Sequence, residues 1–352
     1  MLERRMSRHR PTESFLVGKI ERVFGALGGR SLSRGKVAPG NRLALGIGDD
    51  AALFRPLPGS ETILTCDWFL EGTHFLRDKH PADSVGWKCL ARATSDIAAM
   101  GGTPRCFLLS LAIPEWATGA WLDGFLRGLR RAAQRFECVL AGGDTTRAEH
   151  ILIHVAVIGE VDKRRALRRR GARAGDLLFV SGRLGEAERG WQIVRKQRGM
   201  ADRRDQRLQK HLYPQPRLAL AAWLARKRLA TAAMDLSDGL SSDLPRLCAA
   251  SGVGARIDAT KLPLVVIAAP RQAETQKLPR QRDEALELAL HGGDEYELLF
   301  TVPRRKELKI PPSFAGVPLL SIGEITRSRR IVVVGQNSRP QALKPGGWDP
   351  FR

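Results

Sequence analysis

The stretch MDLSDGLSSDL, residues 234–244, decides how this chain is read. Ala232–Leu236 is a short apolar run of strand character. Asp235, Asp238 and Gly239 then turn the chain, and a helix is expected to continue to Ala250. An aspartate beside a glycine at the end of a strand has a definite chemical use. Its carboxylate is a hard oxygen donor suited to Mg²⁺, and the missing Cβ lets backbone N–H groups come close to a phosphate. A local reading competes with it: Asp238 and Asp243 could equally be helix N-caps or first-turn acids.

Working outward, the same combination recurs in GIGDD (46–50), TCD (65–67), GGD (142–144) and GGDE (292–295). Each alone is an ordinary turn signal. A further acid, Asp96, lies in RATSDIAAMGG (92–102) beside Ile97, Ala98, Ala99 and Met100. Buried there it needs a metal or a basic neighbour; the alternative is a solvated acid on the polar face of its helix. Several aspartates gathered at one site would repel one another unless divalent cations neutralised them. There is no Walker A loop, no protein-kinase set of GxGxxG, HRD and DFG, and no GxSxG or HExxH. Any ATP chemistry must therefore rest on aspartate-held metals and glycine-rich turns.

Hydrophobic spacing predicts helices over 12–27, 82–100, 121–136 and within 216–228. Strands are predicted at 43–47, 62–65, 106–113, 139–140, 151–158, 177–181 and 331–334, and 263–282 reads as loop. Elements of both kinds mix without strict βαβ alternation, so the fold class is α+β or mixed α/β. At 352 residues the chain is long enough for two domains, and the basic stretch 160–175 is the expected joint. With 43% hydrophobic and 27% charged residues it is globular in composition. The formal net charge of +21 is concentrated partly in 163–173 and 195–210. Neither stretch interleaves aromatics for base stacking, so both read as solvated surface and nucleic acid is not the expected partner. Five cysteines without a CxxC pair imply reduced thiols and a cytoplasmic protein. No apolar run approaches the ~18 residues of a membrane helix, and no secretory h-region opens the chain.

Read in order, seven strings carry a resemblance to the thiamine-monophosphate kinase family: GIGDDAAL (46–53), CDWFLEGTHF (66–75), LARATSDIAAMGGTPR (90–105), LAGGDTTR (140–147), RALRRRGARAGD (165–176), MDLSDGLSSDL (234–244) and GGDEYELLF (292–300). The resemblance spans about residues 12–352. It implies the two-domain aminoimidazole-ribonucleotide synthetase-like ATP-binding fold. An N-terminal α+β domain (1–160) would form a homodimer and supply much of the nucleotide and Mg²⁺ site, with a C-terminal α/β domain (161–352) covering the other side. The implied reaction moves the γ-phosphoryl of ATP onto thiamine monophosphate, with several Mg²⁺ ions. Carried over position by position, the metal ligands fall on Asp50, Thr65, Cys66, Asp67, Asp96, Asp144, Asp235 and Asp238. ATP contacts fall on Gly143, Asp144, Arg169 and Ser237, and substrate contacts on His74, Asp294 and Trp348.

Three positions depart from the family pattern or leave it open. Cys66 stands where the family has a hydroxyl residue, and a thiol is a poor Mg²⁺ ligand, so a backbone carbonyl is the expected contact. GGDEYEL inverts the usual Glu-Asp order, which leaves Asp294 or Glu295 to hold substrate. Arg168, Arg169 and Arg170 are adjacent, so the register of the ATP-contacting arginine stays open. Two other functions compete: a related ATP-dependent enzyme with another acceptor, and a basic nucleic-acid-binding two-metal phosphodiesterase.

Overall fold

The computed structural model describes residues 12–24, 42–47, 49–267, 278–335 and 339–351. The first part of the chain runs α1 (Glu13–Phe24), β1 (Leu43–Leu45), β2 (Leu53–Phe54), β3 (Ser60–Leu70), α2 (Ala82–Ala99), β4 (Thr103–Ile113), α3 (Ala120–Arg135), β5 (Val139–Arg147) and β6 (Leu152–Asp162). Strands β3 to β6 form a four-stranded sheet in the order β3-β6-β4-β5, with only the β4–β5 pair parallel. Alternation puts Phe107, Leu109, Leu111, Ile153, Val155 and Val157 on one face, where they pack with α2 and α3 in the largest core cluster.

The second part runs β7 (Asp176–Ser181), α4 (Glu186–Lys196), α5 (Gln209–Leu212), α6 (Leu218–Arg226), β8 (Ala232–Asp235), α7 (Leu240–Ser251), β9 (Gly254–Asp258), α8 (Leu278–His291), β10 (Leu298–Pro303), β11 (Ser313–Phe314), β12 (Val317–Thr326), β13 (Ile331–Val334) and β14 (Pro340–Ala342). Its eight-stranded sheet has the order β14-β13-β9-β12-β7-β10-β8, with β11 paired to β12. It is buried on both sides. Leu178 and Val180 of β7 join one cluster with α7, while Leu177 and Phe179 join another with α6 and with Ala98 of α2. Helix α2 thus belongs to both cores, and of its 18 residues only Ala82, Arg92 and Asp96 escape full burial.

The mixed α/β class is as expected, with differences at particular elements. The strand read at 62–65 is the 11-residue β3. GGDTTR (142–147) does not end a strand in a turn but continues β5, because it is held along β4 from Gly142 to Arg147. Residues 278–282, read as loop, begin helix α8. The basic stretch 195–210 is only partly a solvated surface: Lys210 forms an ion pair with the fully buried Glu297, which Arg217 also holds. Residues 25–27 of the first expected helix, Gly48 of GIGDD and 268–277 of the expected loop lie outside the described residues. Among the described residues no helix is long and apolar enough to cross a membrane.

Candidate active site

Helix α2 is the spine of the site. Lys88, Arg92 and Asp96 are spaced i, i+4, i+8 and so share one face of the helix, one above the other. That face looks toward the edge strand β3 of the first sheet and the turns of the second. From β3, Thr65 and Asp67 reach it, with Thr65 Oγ1 donating to Asp96 Oδ2 at 2.5 Å and Arg92 Nη2 standing 3.9 Å from Asp67 Oδ1. From the end of β8 comes Asp235, whose Oδ2 accepts from Ser95 Oγ at 2.6 Å.

Asp294 is brought in by a turn clamped to the DLSDG segment. The N–H of Asp294 donates to Ser237 O at 2.7 Å, and that of Tyr296 to Leu236 O at 2.8 Å. Both residues have left-handed φ, 62° and 51° respectively, an uncommon state for a tyrosine and one that concentrates at functional turns. The Asp294 carboxylate takes Lys88 Nζ at 2.7 Å, Tyr296 OH at 2.6 Å and Arg92 Nη1 at 3.4 Å. Lys88 is fully buried, and its ammonium also meets His211 Nδ1 at 3.2 Å.

The electrostatics divide the acids into two kinds. Burial raises Asp67 to about 6; Arg92 pulls it down, while Asp96, Asp294 and Asp238 push it further up. Asp235 is raised to about 7 by burial and by the charge of Asp96. Asp96 is itself raised by burial, against the Thr65 hydrogen bond and the charges of Arg169 and Arg92. These are carboxylates short of positive charge, the state that a cation relieves. Asp294 is the reverse. Burial pushes it up, yet Lys88 and Arg92 hold it well below the usual carboxylate range. His74 sits beside this pair, its Nδ1 accepting from the N–H of Leu70 at 3.0 Å. Burial and the neighbouring Arg92 lower it to about 4, so its imidazole is neutral at physiological pH.

The structure therefore brings together Thr65, Asp67, His74, Asp96, Asp235, Asp238, Asp294 and Arg169, the last through its charge on Asp96. Ser237 lies in the same turn, and the backbone N–H of Trp348 donates to Asp238 O at 2.9 Å while its ring stays half exposed. Of the inverted pair, Asp294 faces the cluster. Glu295 is buried elsewhere, accepting from the N–H groups of Gly185 and Ala187 at 2.8 and 3.0 Å at the start of α4. Asp243 has the local role: its Oδ2 takes the N–H groups of Ser237, Asp238 and Gly239 at 3.0, 3.0 and 3.1 Å, shaping the turn itself.

Three expected metal ligands, Cys66, Asp144 and Asp50, and the expected ATP contact Gly143 stand apart. Cys66 alternates with Thr65 and Asp67 along β3, so its exposed thiol lies on the opposite sheet face, which concerns the side chain and not the backbone carbonyl expected as its contact. Gly143 and Asp144 sit on β5, separated from β3 by two strands, roughly 14 Å across the sheet at ~4.8 Å per strand. Asp144, in register with Ser110, is also on the face away from α2. Asp50 is exposed, its N–H bonded to the side chain of Asp49. Among the described residues, no group of three or more His, Cys, Asp or Glu side chains stands ready to hold a metal ion by itself. Lys88, Arg92 and Tyr296 were missed in the sequence. The signal for Lys88 and Arg92 was their four-residue spacing with Asp96 on a helix; Tyr296 had none.

Comparison with known proteins agrees with this architecture. Residues 48–161 match the family described as AIR synthase related protein, N-terminal domain, and residues 173–336 match AIR synthase related protein, C-terminal domain. The fold, with its acids gathered on α2, and these two matches define a protein of the AIR synthase-related class. Within that class, the chain is 38% identical over 312 residues to the thiamine-monophosphate kinase of Escherichia coli (strain K12), covering 87% of this chain and 92% of the relative. The crystal structure of thiamine-monophosphate kinase from Stenotrophomonas maltophilia K279a superposes with a TM-score of 0.75 at 33% identity, covering 90% and 95% of the two chains. A second structure, AaThiL complexed with AMPPCP and TMP, gives a TM-score of 0.70 at 30% identity, covering 96% of each. The chain belongs to the thiamine-monophosphate kinase family.

Proposed function

We propose that this chain transfers the γ-phosphoryl group of ATP to thiamine monophosphate, giving thiamine diphosphate and ADP. The observation that carries the reading is the convergence on one helix of Asp67 and Asp96 from the first sheet and its helix with Asp235, Asp238 and Asp294 from the second half. A relative of similar length, AaThiL, has been solved with AMPPCP and TMP together, which supports the same pair of ligands here.

The nucleophile in such a transfer is already an anionic phosphate oxygen, so no strong general base is required. The obstacle is the approach of two polyanions. Thr65, Asp67, Asp96, Asp235 and Asp238 are hard oxygen donors, and three of their carboxylates carry raised pKa values for want of positive charge, which fits Mg²⁺. These residues would hold the ions, leaving coordination positions for water and phosphate. Bound Mg²⁺ supplies charge neutralisation and alignment of the attacking and leaving oxygens. Asp67 presents its carboxylate to the cleft, and Thr65 fixes the rotamer of Asp96. His74, neutral and accepting at Nδ1, carries its proton on Nε2 and can donate it toward a bound substrate. Arg169, near Asp96, can meet nucleotide phosphate. Trp348 offers a half-exposed ring to a cationic thiazolium or a pyrimidine.

The outer face of the first sheet supports a homodimer. Leu64, Trp68 and Leu108 are exposed there by 74%, 56% and 38%, beside Cys66, a concentration of apolar side chains that a second copy would cover. Asp144 shares that face, so on pairing it would meet the interface instead of the Asp67 of its own chain. We place the protein in the cytoplasm, where its five free cysteines stay reduced. The substrate assignment is tested by supplying ATP and Mg²⁺ with thiamine monophosphate or, separately, with other phosphate and carboxylate acceptors. Phosphorylated product should form only with thiamine monophosphate. Turnover of a different acceptor, with none of this one, would reassign the enzyme.

A further inference from the structure

Arg92 is accounted for by none of the roles above, although it stands between the acid of the metal side and the acid of the acceptor side. Its Nη1 is 3.4 Å from Asp294 Oδ1, and its Nη2 is 3.9 Å from Asp67 Oδ1, too far for a hydrogen bond. A guanidinium has five N–H donors in a planar fork. Only the bond to Asp294 engages them among the described residues, and Nε is buried with no partner at all. Nor does Asp294 consume its charge, since Lys88 already neutralises that carboxylate at 2.7 Å and Tyr296 OH takes the same Oδ1 as Arg92. The Arg92 side chain is 18% exposed, against 2% for Lys88. Packing over the ring of Phe69, 5.6 Å from the guanidinium carbon, fixes its position.

We propose that Arg92 is a catalytic residue whose guanidinium contacts the phosphoryl group during transfer, with Asp294 and Lys88 acting as its positioning residues. The inference rests on the phosphoryl-transfer reading above. In the step itself, a phosphate oxygen of the acceptor forms a bond to the γ-phosphorus of ATP as the bond from that phosphorus to the β–γ bridging oxygen breaks, and ADP departs with the electron pair. Arg92 exchanges no proton; its N–H groups neutralise charge spread over the equatorial oxygens. Asp67, held loosely at 3.9 Å, is free to turn to a cation while Arg92 turns to phosphate.

The test compares Arg92→Met and Arg92→Lys with the wild-type chain. Arg92→Met should lower kcat by ~10²–10³-fold while KM for both substrates changes little, as for other lost transition-state contacts. Added guanidinium ion should restore part of kcat. In a separate readout, ADP with aluminium fluoride and thiamine monophosphate should raise the melting temperature of the wild-type chain but not of Arg92→Met. If Arg92→Met does not fold, Arg92→Lys, which keeps the charge and loses the fork, should fold and lose at least ~10-fold in kcat. A kcat equal to wild type in a folded variant, or an undiminished aluminium fluoride response, overturns the proposal. Absence of thiamine diphosphate from the wild-type reaction would instead overturn the reading on which it rests.

Discussion

Asp67 and Asp294 are both carboxylates within reach of Arg92, yet one is pushed up to about 6 and the other held well below the carboxylate range. What separates them is Lys88, which serves Asp294 alone. Replacing Asp67 with Asn keeps the shape but removes a charged oxygen donor. Turnover should fall by ~10²–10³-fold with the circular dichroism spectrum unchanged, whereas near-normal rates would remove Asp67 from the metal shell. Glu295 gives a stability prediction. Burial raises it to about 8, against the pull of Lys210 and the Ala187 N–H, with Glu297 pushing the same way. A folded pKa above the unfolded one means that the folded state holds an extra proton between about 4.5 and about 8. Its ionisation in the fold therefore costs stability progressively as pH rises through that window. Melting temperature should drop from pH 6 to pH 9, and Glu295→Gln should flatten the slope; an unchanged slope would assign it to other groups. At this scale the sequence strings located Asp67, Asp96, Asp235, Asp238 and Asp294. Strand alternation turns the Cys66 thiol away from Thr65 and Asp67, yet the family carry-over set all three in one metal shell. That Asp243 shapes the turn was not legible, since Asp238 has the same residue type, lies in the same segment and pairs with the same Arg246.

Among the elements, α2 shows why local pattern was enough for one and not for another. Its boundaries were readable because an apolar run with a Gly101-Gly102 stop is a strong helix signal. Its near-total burial was not, because that follows from being shared between two sheets. The packing of α2 on α3 depends on paired glycines. A Cβ on Gly86 would lie 2.0 Å from Phe125 O, and one on Gly128 would lie 1.8 Å from Asp83 O. Gly86→Ala or Gly128→Ala should each destabilise the fold by ~1–3 kcal/mol, read as a lower denaturation midpoint, since the obstacle is helix backbone that cannot step aside. Unchanged midpoints would mean that the helices separate freely. Strand β5 was misread as ending at Leu140 because GGDTTR has the composition of a turn; pairing with β4 overrides that preference.

The molecule as a whole joins a partly exposed sheet, which carries the exposed Leu64, Trp68 and Leu108, to one packed on both faces. Trp68→Asp combined with Leu64→Lys should convert a dimer into a monomer in sedimentation equilibrium; a wild-type chain already monomeric at micromolar concentration would refute the pairing. The most direct test of the account is transfer of labelled γ-phosphate from ATP to thiamine monophosphate, with Mg²⁺ and after its removal by chelation. The account predicts labelled thiamine diphosphate and stoichiometric ADP with Mg²⁺, and neither without it. ATP hydrolysis with no labelled thiamine diphosphate, or transfer at full rate after chelation, would contradict it.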